Sequence, residues 1–517
     1  MKRSISIIRL ITILFLILTK ISFAQIAKND TNFIQLNTYL EKTRKEWKVP
    51  GMSIAIVKND SAVFIKGYGV RNINKNDKVD GNTMFGIASN TKAFTAAALG
   101  ILVDQGKINW DDKVIKYIPY FQLYNNYVTQ EMTIRDLLSH RSGLKTFSGD
   151  LIWYASSYNR KEVIKRAKYL EPAYGFRTHF GYSNIMYLTA GEIVRAVTGK
   201  SWDNYIKENF FSPLGMKLSN TSVNVNNLIE NRATPHTDVE SGQIPIRTIN
   251  WDNMGPAGSI NSNASEMSKW IKMQLNKGSL KGKEYFSKKI SDEMWSPQTI
   301  LNLDGFEKYY FPSMHFKAYG FGWEMFDYHG RKIVTHNGGL DGMISQVVLV
   351  PEENLGFVIL TNSTTSLPYP LMYKMLDYFF NVKDYDWCPL ILDLIKQNNE
   401  REKKEKALEN KKRVPNTKPS LNLKNYSGTY GGEMYGDAKI SFENNKLNIQ
   451  FVPTKILNGT LSHWNYDTFK IKWNDYPSLP DGTVQFIIGT NGKVEEMRID
   501  VPNPDFDFTE LEFLKKE

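Results

Sequence analysis

A chain of 517 residues is longer than one hydrophobic core supports, so at least two domains are expected. Apolar residues at 41%, aromatic residues at 13% and charged residues at 23% exclude a disordered or fibrous chain. The net charge of +11 is not gathered into a nucleic-acid-binding pattern, and one cysteine, Cys388, excludes an intrachain disulfide.

Residues 1–24 read as an export signal. Lys2, Arg3 and Arg9 precede the apolar run Leu10 to Thr19, and Ser22-Phe23-Ala24 offers the small-x-small pattern of a cleavage site. That run is short of the about 20 residues a membrane span needs. A cut after Ala24 is therefore expected, giving a periplasmic or secreted protein with no membrane span. The signal removes Lys2, Arg3, Arg9 and Lys20, which leaves +7 of the +11.

Phe33, Leu36, Leu40 and Trp47 recur at helical spacing and predict a helix from Phe33 to Trp47, broken by Pro50-Gly51. Ser53 to Val57 and Ala62 to Tyr68 flank Asn59-Asp60 and predict a hairpin. Thr91 to Asp104 reads as a helix closed by Gly106. From Thr133 to about Met273 the pattern is mostly helical, with a helix over Thr189 to Val197 and a capping pair at Asn263 and Glu266. Strand character returns at Lys332 to Thr335, Ser345 to Val350 and Phe357 to Thr361. Strands at both ends with helices between them predict an α+β domain over 25–395, an antiparallel sheet with helices on its faces and a helical insertion. Residues 396–420 read as a charged helix and linker, in which Glu402 with Lys406 and Glu409 with Arg413 have i,i+4 spacing. Over 421–517, short strands and the Asn491-Gly492 turn predict a small β-barrel or sandwich.

Three stretches carry chemistry. In Ser89-Asn90-Thr91-Lys92 a helix starting at Ser89 would bring hydroxyl and amine onto one face. A serine needs a base beside it, and a desolvated lysine can lose its proton and serve. A lysine in a first helical turn is otherwise disfavoured by the helix dipole. Tyr182-Ser183-Asn184 adds a phenol, which neighbouring ammonium groups would bring toward phenolate, and an amide suited to a substrate amide. His336-Asn337-Gly338-Gly339 ends a predicted strand, where glycines admit substrate backbone and His336 offers a donor. The Gly339 N–H could join that of Ser89 in an oxyanion hole.

In order and spacing the three stretches resemble the penicillin-recognising serine hydrolases, in the branch of class C β-lactamases, D-Ala-D-Ala carboxypeptidases, D-aminopeptidases and related esterases. Thr133 to Leu144, Pro213-Leu214-Gly215-Met216 and Pro256-Ala257-Gly258-Ser259 are family-like as well, and the tail is similar to the small β-domain of exported members at Leu461 to Phe469. The resemblance implies that Ser89 is acylated, that Lys92 and Tyr182 share the proton transfers, and that Asn184 holds the substrate. It leaves open which of Lys92 and Tyr182 is the base. Where β-lactamases have Lys-Thr-Gly, this chain has His336-Asn337-Gly338, and a mostly neutral imidazole grips a carboxylate poorly. Small peptide amides or esters, D-amino-acid peptides and cell-wall fragments among them, are the expected substrates. A weak β-lactamase and a non-catalytic wall-fragment or peptide binder are the alternatives. His179, His236, His315 and His329 have no metal-ligand spacing, and neither metal nor cofactor is expected. Cys388 reads as a small core residue.

Overall fold

The computed structural model describes residues 33–477 and 479–516. The expected export signal lies outside these residues. Among them, no helix is long and apolar enough to cross a membrane.

Helix α1 (33–46) leads into the hairpin of β1 (Gly51–Lys58) and β2 (Ser61–Gly69). Asn59 and Asp60 both have positive φ, as a tight hairpin turn requires. The rest of the sheet comes from much later in the chain: β3 (Thr299–Leu301), β4 (Lys317–Tyr319), β5 (Glu324–Tyr328), β6 (Arg331–Leu340), β7 (Met343–Val350) and β8 (Leu355–Thr361). The eight strands run antiparallel in the order β2-β1-β8-β7-β6-β5-β4-β3.

The central strands are apolar at nearly every position because helices cover both faces. Side chains alternate between faces along a strand. Ala55, Val57, Val358 and Leu360 therefore join a core shared with the helical insertion, whereas Ile54, Ile56, Phe357 and Ile359 meet α1 and the helix Pro368–Phe380. The core of the first side is built around α2 (Thr91–Asp104), which is buried from Thr91 to Leu102. Phe94 of α2 stacks on Trp270 of the helix Ala264–Leu275 with ring centroids 3.6 Å apart.

Several local expectations need correction. The α-helix begins at Thr91, and Ser89 lies in a separate 3₁₀ turn, Ala88–Asn90. The helix predicted over Thr189 to Val197 starts earlier, at Asn184, because Ser183 caps it. Asn263 does cap its helix, but Glu266 turns away to bind the backbone N–H groups of Leu218 and Ser219 instead of closing the box. The charged helix starts within the first domain, spanning Trp387–Lys411, and its i,i+4 ion pair is Arg401–Glu405. It ends before Arg413, whose guanidinium lies over the Trp464 ring.

The tail is a closed eight-stranded barrel running from Gly428–Gly432 to Phe513–Lys515. The stretch Leu461 to Phe469 anchors the linker, since Asp467 accepts from the Ser420 N–H and the Tyr426 hydroxyl. The barrel docks on the helical insertion. Ser157 N–H donates to the Pro453 carbonyl at 2.9 Å, the Tyr158 hydroxyl to that of Tyr435 at 2.7 Å, and Gly149 N–H to the Glu510 carboxylate at 2.8 Å. Cys388 is buried and its thiol is pushed up to about 12 by that burial.

Candidate active site

Ser89 is presented by a strained turn. Ala88 before it has a φ of 48°, in the left-handed region that non-glycine residues rarely occupy. The turn is pinned from the sheet: the Ser345 hydroxyl of β7 donates to the Ile87 carbonyl at 2.7 Å and accepts from the Asn90 amide at 2.8 Å. Ser89 itself is half-buried and lines a cavity of about 590 Å³.

Lys92, one turn into the adjoining helix, is fully buried. Its Nζ lies 3.0 Å from Ser89 Oγ, 2.7 Å from Asn184 Oδ1 and 2.9 Å from the Ala257 carbonyl. The last two atoms only accept hydrogen bonds. Nζ thus has three oxygen neighbours; once a proton is lost, its two remaining N–H groups can serve these two acceptors while the lone pair faces the serine hydroxyl. Burial lowers the affinity of this amine for a proton well below the ordinary lysine value, while the Asp150 carboxyl works weakly in the other direction.

Asn184, expected from sequence to hold the substrate through its amide, lines the cavity and has one of its two Nδ2 N–H groups committed within the protein. Its Oδ1 takes Lys92, and its Nδ2 donates to Asp150 Oδ2 at 2.7 Å. Asp150 also accepts from the Trp153 indole at 2.8 Å, and burial pushes its carboxyl up to about 7.

Tyr182 hydrogen-bonds Ser89, and its ring lies 4.6 Å from Lys92 Nζ. Burial raises this phenol above its usual value, so the expected drift toward phenolate is not found. The Asp150 and Glu324 carboxyls add to that rise. His336 departs from expectation too. Its Nδ1–H donates to the Asn337 carbonyl, and its Nε2 accepts from the Tyr319 hydroxyl at 2.9 Å. Both nitrogens are thus occupied and none remains as a substrate donor. Burial holds the imidazole down at about 3, hence neutral. A second neutral histidine, His140, packs against the Tyr182 ring at 4.3 Å and accepts the Ser183 N–H at 3.0 Å.

Strand β6 supplies an open edge. Its pairing with β5 stops at Thr335, whereas that with β7 continues to Leu340, so residues 336–340 have a neighbour on one side alone. Asn337 and Gly339 are exposed and line the cavity. Gly338 faces the other way. A Cβ there would stand 2.3 Å from the Ile87 carbonyl oxygen, so glycine lets the strand close on the nucleophile turn.

Asp150, His140 and Tyr319 were missed from sequence. His140 sat within a family-like stretch, and Tyr319-Gly320-Phe321-Gly322 was a visible signal. Gly322 packs where a Cβ would be 2.8 Å from the Lys92 carbonyl. Nothing local marks Asp150, which pairs with an amide 34 positions away.

An antiparallel sheet with a buried helix that follows directly on a serine-bearing turn and carries a lysine beneath that serine defines a serine hydrolase of the β-lactamase and transpeptidase fold. The chain belongs to the β-lactamase family, whose profile matches residues 36–376. Residues 412–515 match a domain of unknown function, DUF3471. The unguisins hydrolase ungD′ of Aspergillus campestris is 29% identical over 78% of this chain and 77% of the relative, and the protein flp of Staphylococcus aureus is 29% identical over 70% and 69%. In fold, the octameric penicillin-binding protein homologue of Pyrococcus abyssi aligns over 93% of this chain and 99% of its own, with TM-score 0.62 at 21% identity. The D-amino acid amidase of Ochrobactrum anthropi aligns over 64% and 91%, with TM-score 0.52 at 23% identity.

Proposed function

We propose that this chain is an exported hydrolase that cleaves a small amide or ester through an acyl-Ser89 intermediate, with neutral Lys92 as the base for acylation. The observation that carries the reading is the Lys92 amine, 3.0 Å from Ser89 Oγ with its two N–H groups already committed. The serine proton passes to Nζ as Oγ attacks the carbonyl carbon, and Tyr182 delivers a proton to the leaving amine or alkoxide. The N–H groups of Ser89 and Gly339 stabilise the oxyanion, and water then releases the acyl group.

The charges around the serine favour substrates without a carboxylate at this end. Burial lowers the proton affinity of Lys92 and holds His336 neutral, and Lys317 in the cavity wall is paired with Glu307 at 2.9 Å and Glu324 at 3.2 Å. A β-lactam or a carboxypeptidase substrate would find no free cation among the described residues of that wall. A relative named as a hydrolase of unguisins and a structural neighbour that is a D-amino acid amidase agree with amide substrates.

The test is covalent labelling with a fluorophosphonate and turnover of p-nitrophenyl acetate. Both should locate to Ser89 and vanish in Ser89→Ala. A wild-type protein that neither labels nor turns over would refute the reading. For export, the recovered protein should begin at Gln25, and a retained Met1 would refute that part.

A further inference from the structure

Two carboxyl groups in the wall of the catalytic cavity, Asp341 and Asp505, form no ion pair with any described residue. Asp341 follows directly on β6, two residues beyond Gly339, and lines the cavity. Its Oδ1 accepts from the Tyr154 hydroxyl at 2.9 Å and from that of Tyr476. Its Oδ2 is buried and has no hydrogen-bond partner among the described residues. Asp505, on a barrel loop, lines the cavity too, and it adds to the rise that burial imposes on the Asp341 carboxyl. No described residue forms an ion pair with it. An orphaned buried carboxylate oxygen beside a second unpaired carboxylate is costly unless a cation is brought to it.

The surrounding wall is aromatic. Tyr154 packs against Phe506 at 4.4 Å, Tyr476 at 6.0 Å and Trp251 at 6.4 Å, and all four line the cavity. Carboxylates set among aromatic faces suit an ammonium ion, which gains from both the charge and the ring quadrupoles. Neither a carboxylate nor a neutral acyl group would gain in this way.

We propose that Asp341 and Asp505, with Tyr154, Tyr476 and Phe506, form a subsite for a free amino group on the substrate. The inference deepens the hydrolase reading and rests on it for the position of the subsite beside Ser89. It also gives the barrel a part in recognition, because Asp505, Tyr476 and Phe506 all belong to the tail while Asp341 and Tyr154 belong to the first domain.

The test is calorimetric binding to the full chain carrying Ser89→Ala, which removes turnover. D- and L-phenylalaninamide are compared with their N-acetyl derivatives, which lack the charge. At least one free amine should bind about tenfold or more tighter than its acetylated form, and Asp341→Asn and Asp505→Asn should each shrink that ratio. Asp505 is exposed, so its substitution leaves the core untouched. Equal binding of amine and acetyl forms, no binding of either, or a ratio unmoved by both substitutions would overturn the subsite. Fluorophosphonate labelling of the wild-type serine is independent of these outcomes, so failure of the subsite and failure of the hydrolase reading are distinguishable.

Discussion

Replacing Lys92 with arginine tests the central geometry. The amine has two acceptors, Asn184 Oδ1 at 2.7 Å and the Ala257 carbonyl at 2.9 Å, and one remaining direction toward Ser89 Oγ at 3.0 Å. Arginine is permanently charged and has no lone pair, so it cannot take the serine proton. A general base contributes about 100- to 10,000-fold to a rate, and Lys92→Arg should lower kcat by that factor in p-nitrophenyl ester turnover. The wild-type pH profile adds a second measure. Because burial lowers the proton affinity of Lys92, the neutral amine is the main form well before the pH of about 10.4 at which a free lysine titrates. The rate of Ser89 labelling should therefore level off below that pH. A variant within about tenfold of wild type, or labelling that still climbs through pH 10, would refute the argument.

Asp150→Asn should lower kcat by about 10- to 100-fold with little change in KM, since a hydrogen bond to a charged group is worth about 1.5–3 kcal/mol and its loss frees Asn184 to turn its amide. His336 is held neutral down to about 3, a depressed value, so the unfolded chain binds its proton first as pH falls below about 6.5. Stability should therefore drop between pH 6.5 and 3, by an upper bound of about 5 kcal/mol, and thermal melts of His336→Gln should show a shallower dependence. Phe506→Ala opens the cavity wall and should raise turnover of bulky esters over p-nitrophenyl acetate by about tenfold; an unchanged ratio would remove the barrel from substrate selection.

The sheet, the central helix and the barrel were legible because each has a strong local period or turn signal, such as Asn59-Asp60 and Asn491-Gly492. The positions of Ser89, Lys92 and Tyr182 were legible because they sit at element boundaries, where residue type is constrained. Their protonation was not. The phenolate expected of Tyr182 assumed an ammonium neighbour, whereas burial raises the phenol and lowers the proton affinity of Lys92. Nor could sequence show that the Asn184 amide donates to Asp150, or that Tyr319 occupies the Nε2 of His336, because both partners come from distant segments.

The half-paired strand at residues 336–340 has one more consequence. Exposed strand edges invite pairing with other chains, and a lone edge on an open surface would be a seed for aggregation. Here that edge lies inside a pocket whose mouth the barrel narrows with Tyr476, Asp505 and Phe506. A thin, flexible peptide can reach it, whereas the sheet of another folded molecule is too broad to enter. The barrel residues that line the cavity thus also shield this strand edge.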